Sequence, residues 1–283
     1  VKYNGRPMYQ ATENTEFLKS EFKEVLTDLQ YPLYFLDFET SQMAIPFHAG
    51  MKPYDKVMFQ WSCHVIKSPG AEPEHFEWIN THDVYPNQMF IQSLYDLIGY
   101  NGTIMSWSNY ENTQLKTMLN VFEASPDAHQ FTELINWLNV ICKRDKLDHS
   151  NIIDMNDLAI KYYFHPIMKG QTTIKLTLPA VLTATNSSRI KNWLSAENLL
   201  LADEHGKITN PYNLLPYFEM YNKSENVKDG TGAMRAYQDM LYGADARNET
   251  VKQEYKNALL KYCKLDTLAM LIIWEHWNDL VGM

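Results

Sequence analysis

The sequence predicts an α/β domain with a mixed β-sheet flanked by helices and a helical insertion in its C-terminal half. Three observations point there. Three runs rich in apolar, aromatic and β-branched residues come first, at 33–39, 56–66 and 74–79. A helical pattern at 86–99 then leads to a fourth such run at 102–107. The remainder is mostly helical and closes on a long pattern from Glu249 to Leu280. Successive strands favour antiparallel neighbours and a crossover helix gives a parallel pair, so the sheet should be antiparallel on one side and parallel on the other.

The elements follow in order. Phe17, Leu18, Phe22, Val25, Leu26 and Leu29 recur at helical spacing, which predicts an amphipathic helix over 13–30. Pro32 punctuates, and Leu33 to Glu39 has the near-continuous apolar character of a buried strand. Residues 40–55 hold Pro46, Gly50 and Pro53 and read as a long loop. Phe90, Ile91, Leu94, Leu97 and Ile98 share one face of the helix at 86–99. After the fourth strand come helices at 111–122 and 132–143, and a short strand at 151–154. Asn, Gly and Pro breaks mark 185–248 as an irregular helical insertion into a single domain spanning 1–283, whose core is about 31–184 and 249–280.

Composition narrows the function. Of 283 residues, 45% are hydrophobic and 21% charged, values of a globular chain rather than a disordered or fibrous one. The longest apolar run, Leu268 to Trp274, falls far short of the roughly 20 residues that cross a bilayer, so no membrane partner is expected. Val1 to Gln10 show no secretory signal pattern, and an opening Val suggests a longer parent protein with further domains. A net charge of −9 disfavours bulk electrostatic binding of nucleic acid, although an acidic protein can still meet phosphates through bound cations. Three scattered cysteines argue for a reducing compartment, the cytoplasm. CxxC, HExxH, Walker, GxGxxG and GxSxG patterns are all absent, removing the simplest zinc, nucleotide and serine-hydrolase readings.

Three places could carry chemistry. Asp37 and Glu39 are two apart on a strand, so both carboxylates leave the same face of an apolar segment. Like charges there are costly unless a cation lies between them, and Mg²⁺ or Mn²⁺ prefers oxygen ligands. The spacing by itself is weak, since 34 acids in 283 residues give about four acid-x-acid triplets by chance. Its place inside Leu33 to Glu39 gives it weight. Glu111 follows the fourth strand in Trp107-Ser108-Asn109-Tyr110-Glu111; alone it reads as an acid complementing a helix N-terminus. Tyr262 and Asp266 are four apart on the last helix, beside its apolar stripe; alone they read as a core aromatic and a lysine's ion-pair partner.

Taken in order, these three motifs resemble the DEDD superfamily of 3′–5′ exonucleases, in the subclass with tyrosine in the third motif. Tyr262-Cys263-x-x-Asp266 is also similar to that motif in the proofreading domains of family B DNA polymerases. The histidine subclass would need His where Lys261 stands. A further resemblance runs over nearly the whole chain. Leu36-Asp37-Phe38-Glu39-Thr40, Ala44-Ile45-Pro46, Pro53-Tyr54, Phe59-Gln60-Trp61-Ser62, Ile174-Lys175, Leu178-Pro179-Ala180 and Tyr262 to Met270 look like a bacterial family known as domain of unknown function 2779. Such domains commonly form the C-terminal part of longer proteins.

The exonuclease resemblance implies a ribonuclease-H-like fold, a nucleic-acid partner with a 3′ end, DNA or RNA, and two divalent ions, Mg²⁺ or Mn²⁺, about 3.5–4 Å apart. It implies that Asp37 bridges both ions, Glu39 and Asp266 complete the first site, and Glu111 helps hold the second. Tyr262 would orient the attacking water. Glu111 departs from the usual Asp of the second motif, which leaves Asp154 and Asp157 as competitors for its place. Thr40, Asn109 and Lys175 are candidate substrate contacts, and Lys169 to Lys175 is either a phosphate-facing turn or a plain surface loop. Trp61, Trp107 and Tyr110 could stack on bases, or belong to the core. A glycosidase pair would need carboxyls roughly 5 Å or more apart, which same-face neighbours on one strand do not offer. A catalytically degenerate binding module is the rival of another class.

Overall fold

Side chains of Leu33–Ser41 alternate between two faces, and both faces are buried, which commits this strand, β1, to the middle of a sheet. The computed structural model describes residues 15–142, 151–204, 208–215, 227 and 229–282, with the backbone alone of short strands at 2–3, 6–7, 217–220 and 223–226. Apart from those backbones, the segment 1–10 read for a secretory signal lies outside the described residues.

β1 pairs antiparallel with β2 (Val57–Ile66), and β2 with β3 (Glu74–Ile79). On its other side β1 pairs parallel with β4 (Thr103–Ser106), and β4 with β5 (Ile152–Asp154), giving the spatial order β3-β2-β1-β4-β5. The expected mixed sheet, flanked by helices, is therefore present. Gly102 makes the β1–β4 pairing possible: its φ is +95°, and a Cβ there would run into the Pro32 carbonyl that accepts from Thr103 N at 3.0 Å.

The helices are α1 (Phe22–Thr27), α2 (Asn87–Ile98), α3 (Tyr110–Glu123), α4 (Thr132–Ile141), α5 (Met155–Tyr162), α6 (Ile174–Ala184), α7 (Ser188–Ala196), α8 (Gly230–Tyr242) and α9 (Glu249–Val281). One sheet face, with Tyr34, Leu36 and Phe38, packs on α2, α3 and α4 through Phe90, Leu115 and Trp137. The opposite face, with Leu33 and Phe35, packs on α8 and α9 through Tyr237, Leu271 and Trp274. Each such buried side chain contributes about 1.5–3 kcal/mol. Asp37 and Glu39 continue the row of Leu33 and Phe35, so the pleat delivers both acids to the α9 side.

α9 runs close to its expected limits. Asn248 caps it by accepting from Thr250 N and Val251 N, and Gly282 ends it in the left-handed conformation. Its register on the sheet is pinned at Thr267, whose hydroxyl meets Ser62 Oγ at 2.9 Å and His64 Nδ1 at 2.8 Å. Among the described residues no helix is long and apolar enough to cross a membrane.

Three expectations need correction. The helix over 13–30 is cut to α1, because Phe17–Leu18 is extended and pairs antiparallel with Tyr163–Phe164. There the Phe17 and Phe164 rings stack 5.3 Å apart, a contact no local periodicity announces; residues 13 and 14 lie outside the described residues. α4 stops at Ile141, and Lys143, expected in it, is likewise outside. The stretch 185–248 is less purely helical than expected: beside α7 and α8 it holds a 3₁₀ turn, Pro211–Leu214, and a hairpin, Tyr217–Met220 with Lys223–Asn226. Ile190, Trp193, Tyr212 and Tyr237 from this stretch share the apolar cluster of α9.

Candidate metal centre

Where β1 passes under α9, Asp37 and Glu39 meet Asp266, and one carboxylate oxygen from each lies within 4.8 Å of the others. Thr267 explains the aim of Asp266, since fixing one residue of a helix fixes the direction of its neighbour. Glu39 and Asp266 are buried and Asp37 is half-buried. A β-bulge shapes the end of β1. Glu39 faces Gln60 but Thr40 faces Met58, so Phe59 is an extra residue on β2. Its ring stacks on Tyr237 of α8 at 4.0 Å, which ties that helix to the acid-bearing strand.

Glu111 enters from the first turn of α3. It stands against Asp37 and Ser106, is 4% exposed, and its Oε2 has no hydrogen-bond partner. Asp154, the competitor, ends β5 opposite Ser106 of β4, and its Oδ1 accepts from Asn156 N at 2.9 Å, capping α5. Asp157 is a first-turn residue of the same helix.

Burial pushes every acid of the cluster upward, and repulsion from the other acids adds to it at Asp37 and Glu39. Asp37 and Glu39 are held well above the usual carboxylate range by burial and then by Asp266. Burial lifts Glu111 to about 8, and Asp266 to about 6. Asp266 is restrained from rising further by the Tyr212 hydroxyl, the Lys175 charge and the Tyr262 hydroxyl. Cys263, one turn before Asp266 and itself buried, donates its thiol to Asp37 Oδ2 at 3.5 Å.

Tyr262 is buried beside Asp266, and burial with the surrounding acids drives its hydroxyl far above the ordinary value, so it remains a donor. Lys175, at the start of α6, donates to Tyr262 Oη at 3.4 Å and lies over the Tyr262 and Tyr212 rings at 5.3 and 5.5 Å. Thr40 Oγ1 and Tyr110 Oη are 2.5 Å apart at the mouth of a cleft of about 620 Å³, whose floor is Asp37, Glu39 and Glu111. Asn109 does not line that cleft. It is exposed, at the N-cap position of α3, and accepts from Asn112 Nδ2 at 3.2 Å. Trp61 is buried with its indole donating to Ser93, and Trp107 donates to the Thr172 carbonyl beside Trp277. Of the three aromatics considered for stacking, Tyr110 is the one at the cleft.

Two residues of the site went unread in the sequence. Tyr212, from the turn Pro211–Leu214, donates its hydroxyl to Asp266 Oδ1. Its one sequence signal is Asn210-Pro211, a turn start in which Asn210 accepts from Tyr212 N at 3.2 Å. Asp229, whose charge raises Glu39, lines the cleft at the start of α8. Asp-Gly ahead of an amphipathic pattern would have marked it as a helix cap.

The donor set is all oxygen, and it suits a hard divalent cation. Four carboxylates gather here, the Lys175 charge reaches Glu39 and Asp266 among them, and the buried Glu111 Oε2 lacks a partner, so a divalent ion fits what the residues present. Residues 34–173 match the model of a family described as a domain of unknown function, DUF2779. The match takes in Asp37, Glu39 and Glu111 but stops before Tyr262 and Asp266, so it is narrower than the resemblance expected over nearly the whole chain. No curated protein and no solved structure matches the chain.

Proposed function

We propose that this chain is a metal-dependent 3′–5′ exonuclease that hydrolyses phosphodiester bonds of nucleic acid. The observation that carries the reading is the meeting of Asp37 and Glu39 with Asp266, with Tyr262 one helical turn before it. The 3′–5′ direction and the ribonuclease-H-like character of the sheet rest on the resemblance of the three motifs to the DEDD exonucleases.

Asp37, Glu39 and Asp266 would hold one Mg²⁺ or Mn²⁺, and Asp37 with Glu111 a second. Bound there, such ions supply a water activated for attack and neutralise charge on the departing oxygen. The chain's own groups then have distinct tasks. Lys175 fixes the Tyr262 hydroxyl by donating to it. Tyr262, kept protonated by its surroundings, orients the attacking water by hydrogen bonding rather than by taking its proton. Tyr212 holds Asp266 Oδ1. Water adds to phosphorus, the bond from phosphorus to the 3′ oxygen breaks, and that oxygen leaves with a proton, releasing a nucleoside 5′-monophosphate.

The test uses oligonucleotides labelled at the 5′ end, DNA and RNA, with Mg²⁺, Mn²⁺ or EDTA. Wild type should give a ladder shortening from the 3′ end, absent with EDTA and in Asp37→Ala and Asp266→Ala. Internal cuts would make it an endonuclease. No cleavage of either polymer, together with no detectable Mn²⁺ binding by calorimetry, would overturn the catalytic reading in favour of a binding module.

A further inference from the structure

The cleft has an acidic floor but a rim of donors. α8 starts against the floor, for a Cβ on Gly230 would stand 3.8 Å from Glu39 Oε2. Asp229 precedes it in extended conformation, φ −153° and ψ 169°, and caps the helix by accepting from Gly232 N at 2.8 Å. Its carbonyl accepts from Ala233 N at 3.0 Å. These bonds leave untouched the amides of Gly230 and Thr231, two exposed residues that line the cleft. First-turn amides lack intrahelical partners, sit at the positive end of the helix dipole, and take phosphate readily.

Two further observations point to a ligand. Lys56 lines the same cleft half-buried, and no ion pair reaches it among the described residues. Glu111, nine-tenths buried and more, borders the cleft with its Oε2 unpartnered, a costly arrangement unless a ligand completes it. A ligand suited to both layers brings positive charge to the floor and negative charge to the rim. A nucleic-acid strand crossing bound cations does both. The carboxylate of Asp229 is engaged with Gly232 N and does not occupy the amides of Gly230 and Thr231.

We propose that the N-terminus of α8 and Lys56 together seat one backbone phosphate of the substrate strand, flanking the bond that is cut. This rests on the exonuclease reading and names the substrate contacts of the same cleft.

Gly230→Pro is the direct test. It deletes one amide donor at the first helical position, where proline's fixed φ suits a helix start and Asp229 is already extended. Binding is read by fluorescence anisotropy with Ca²⁺ replacing Mg²⁺, using short oligonucleotides that carry a neutral methylphosphonate at one of the last three linkages. On wild type, one of these linkages should lower affinity about tenfold when neutral, the scale of one charge-assisted hydrogen bond. Gly230→Pro should lose about as much on the charged strand and little more on the neutral one. Lys56→Ala, which does not touch the helix, should reduce the slope of log affinity against log salt by about 0.7. If both variants keep the wild-type charged-to-neutral ratio and salt slope while wild type still degrades the strand, the phosphate seat is wrong and the exonuclease reading stands. If wild type neither binds nor cuts any oligonucleotide, both fall together.

Discussion

Tyr212 donates its hydroxyl to Asp266 across 54 residues of sequence, joining a 3₁₀ turn of the C-terminal stretch to the last carboxylate of the acid cluster. Because this bond favours the charged form of Asp266, its loss bears directly on the metal binding proposed for the cluster.

Tyr212→Phe therefore raises the pKa of Asp266 above its present value of about 6 and weakens the site at neutral pH. A hydrogen bond to a charged group is worth about 1.5–3 kcal/mol, so Mn²⁺ affinity should fall about tenfold or more. Calorimetric titration at pH 6.5 and 8.5 checks it, with the deficit larger at the lower pH. Equal affinity of variant and wild type at both would refute the role given to Tyr212.

The acid cluster also sets how the metal-free protein responds to pH. Glu111 rises from 4.5 to about 8 on folding, so between those values the folded state holds a proton that the unfolded state has released. Stability in EDTA should then fall as pH climbs from 4.5 towards 8, by up to about 1.4 kcal/mol per unit for each such group. Melting temperatures across that range, with EDTA and with Mg²⁺, test this. Glu111→Gln should flatten the EDTA curve, and Mg²⁺ should restore most of the loss in wild type.

Asp266→Ala and Tyr262→Phe should differ in kind. The first removes a proposed metal ligand and should abolish cleavage; the second removes the hydroxyl proposed to orient water and should lower kcat on the order of 10²-fold with KM little changed. Single-turnover rates on one oligonucleotide separate them. Equal loss in both would mean that Tyr262 does more than orient.

Thr267→Val keeps the side-chain shape but strips the hydroxyl that pins α9 to Ser62 and His64. His64 Nδ1 is left buried without this partner, at a cost of about 1–3 kcal/mol in urea unfolding. Metal affinity should fall too, because Asp266 loses the anchor of its neighbour.

Much of this could be read from the residues. Asp37 and Glu39 stood out because a period of two inside an apolar strand leaves them no other face. Tyr262 and Asp266 stood out because a period of 3.6 places them on one side of an apolar helix. Phe17–Leu18 misled because its partner, Tyr163–Phe164, is remote in sequence, and a local pattern cannot weigh a ladder formed elsewhere. Tyr212 stayed hidden because a 3₁₀ turn has no period long enough to show which way its side chains face. Asp229 carried a legible cap signal, yet the cleft it borders exists only once α8 rests on β1.

Cys263 touches Asp37 across 226 residues of chain. Such a contact sets an order of events during synthesis. β1 emerges early, but its two acids have no third until α9 has been made and has docked, the slow closure of a very long loop. Until then the nascent chain carries Asp37 and Glu39 without Asp266, and the acid cluster on which the proposed activity depends is complete only once α9 settles on β1.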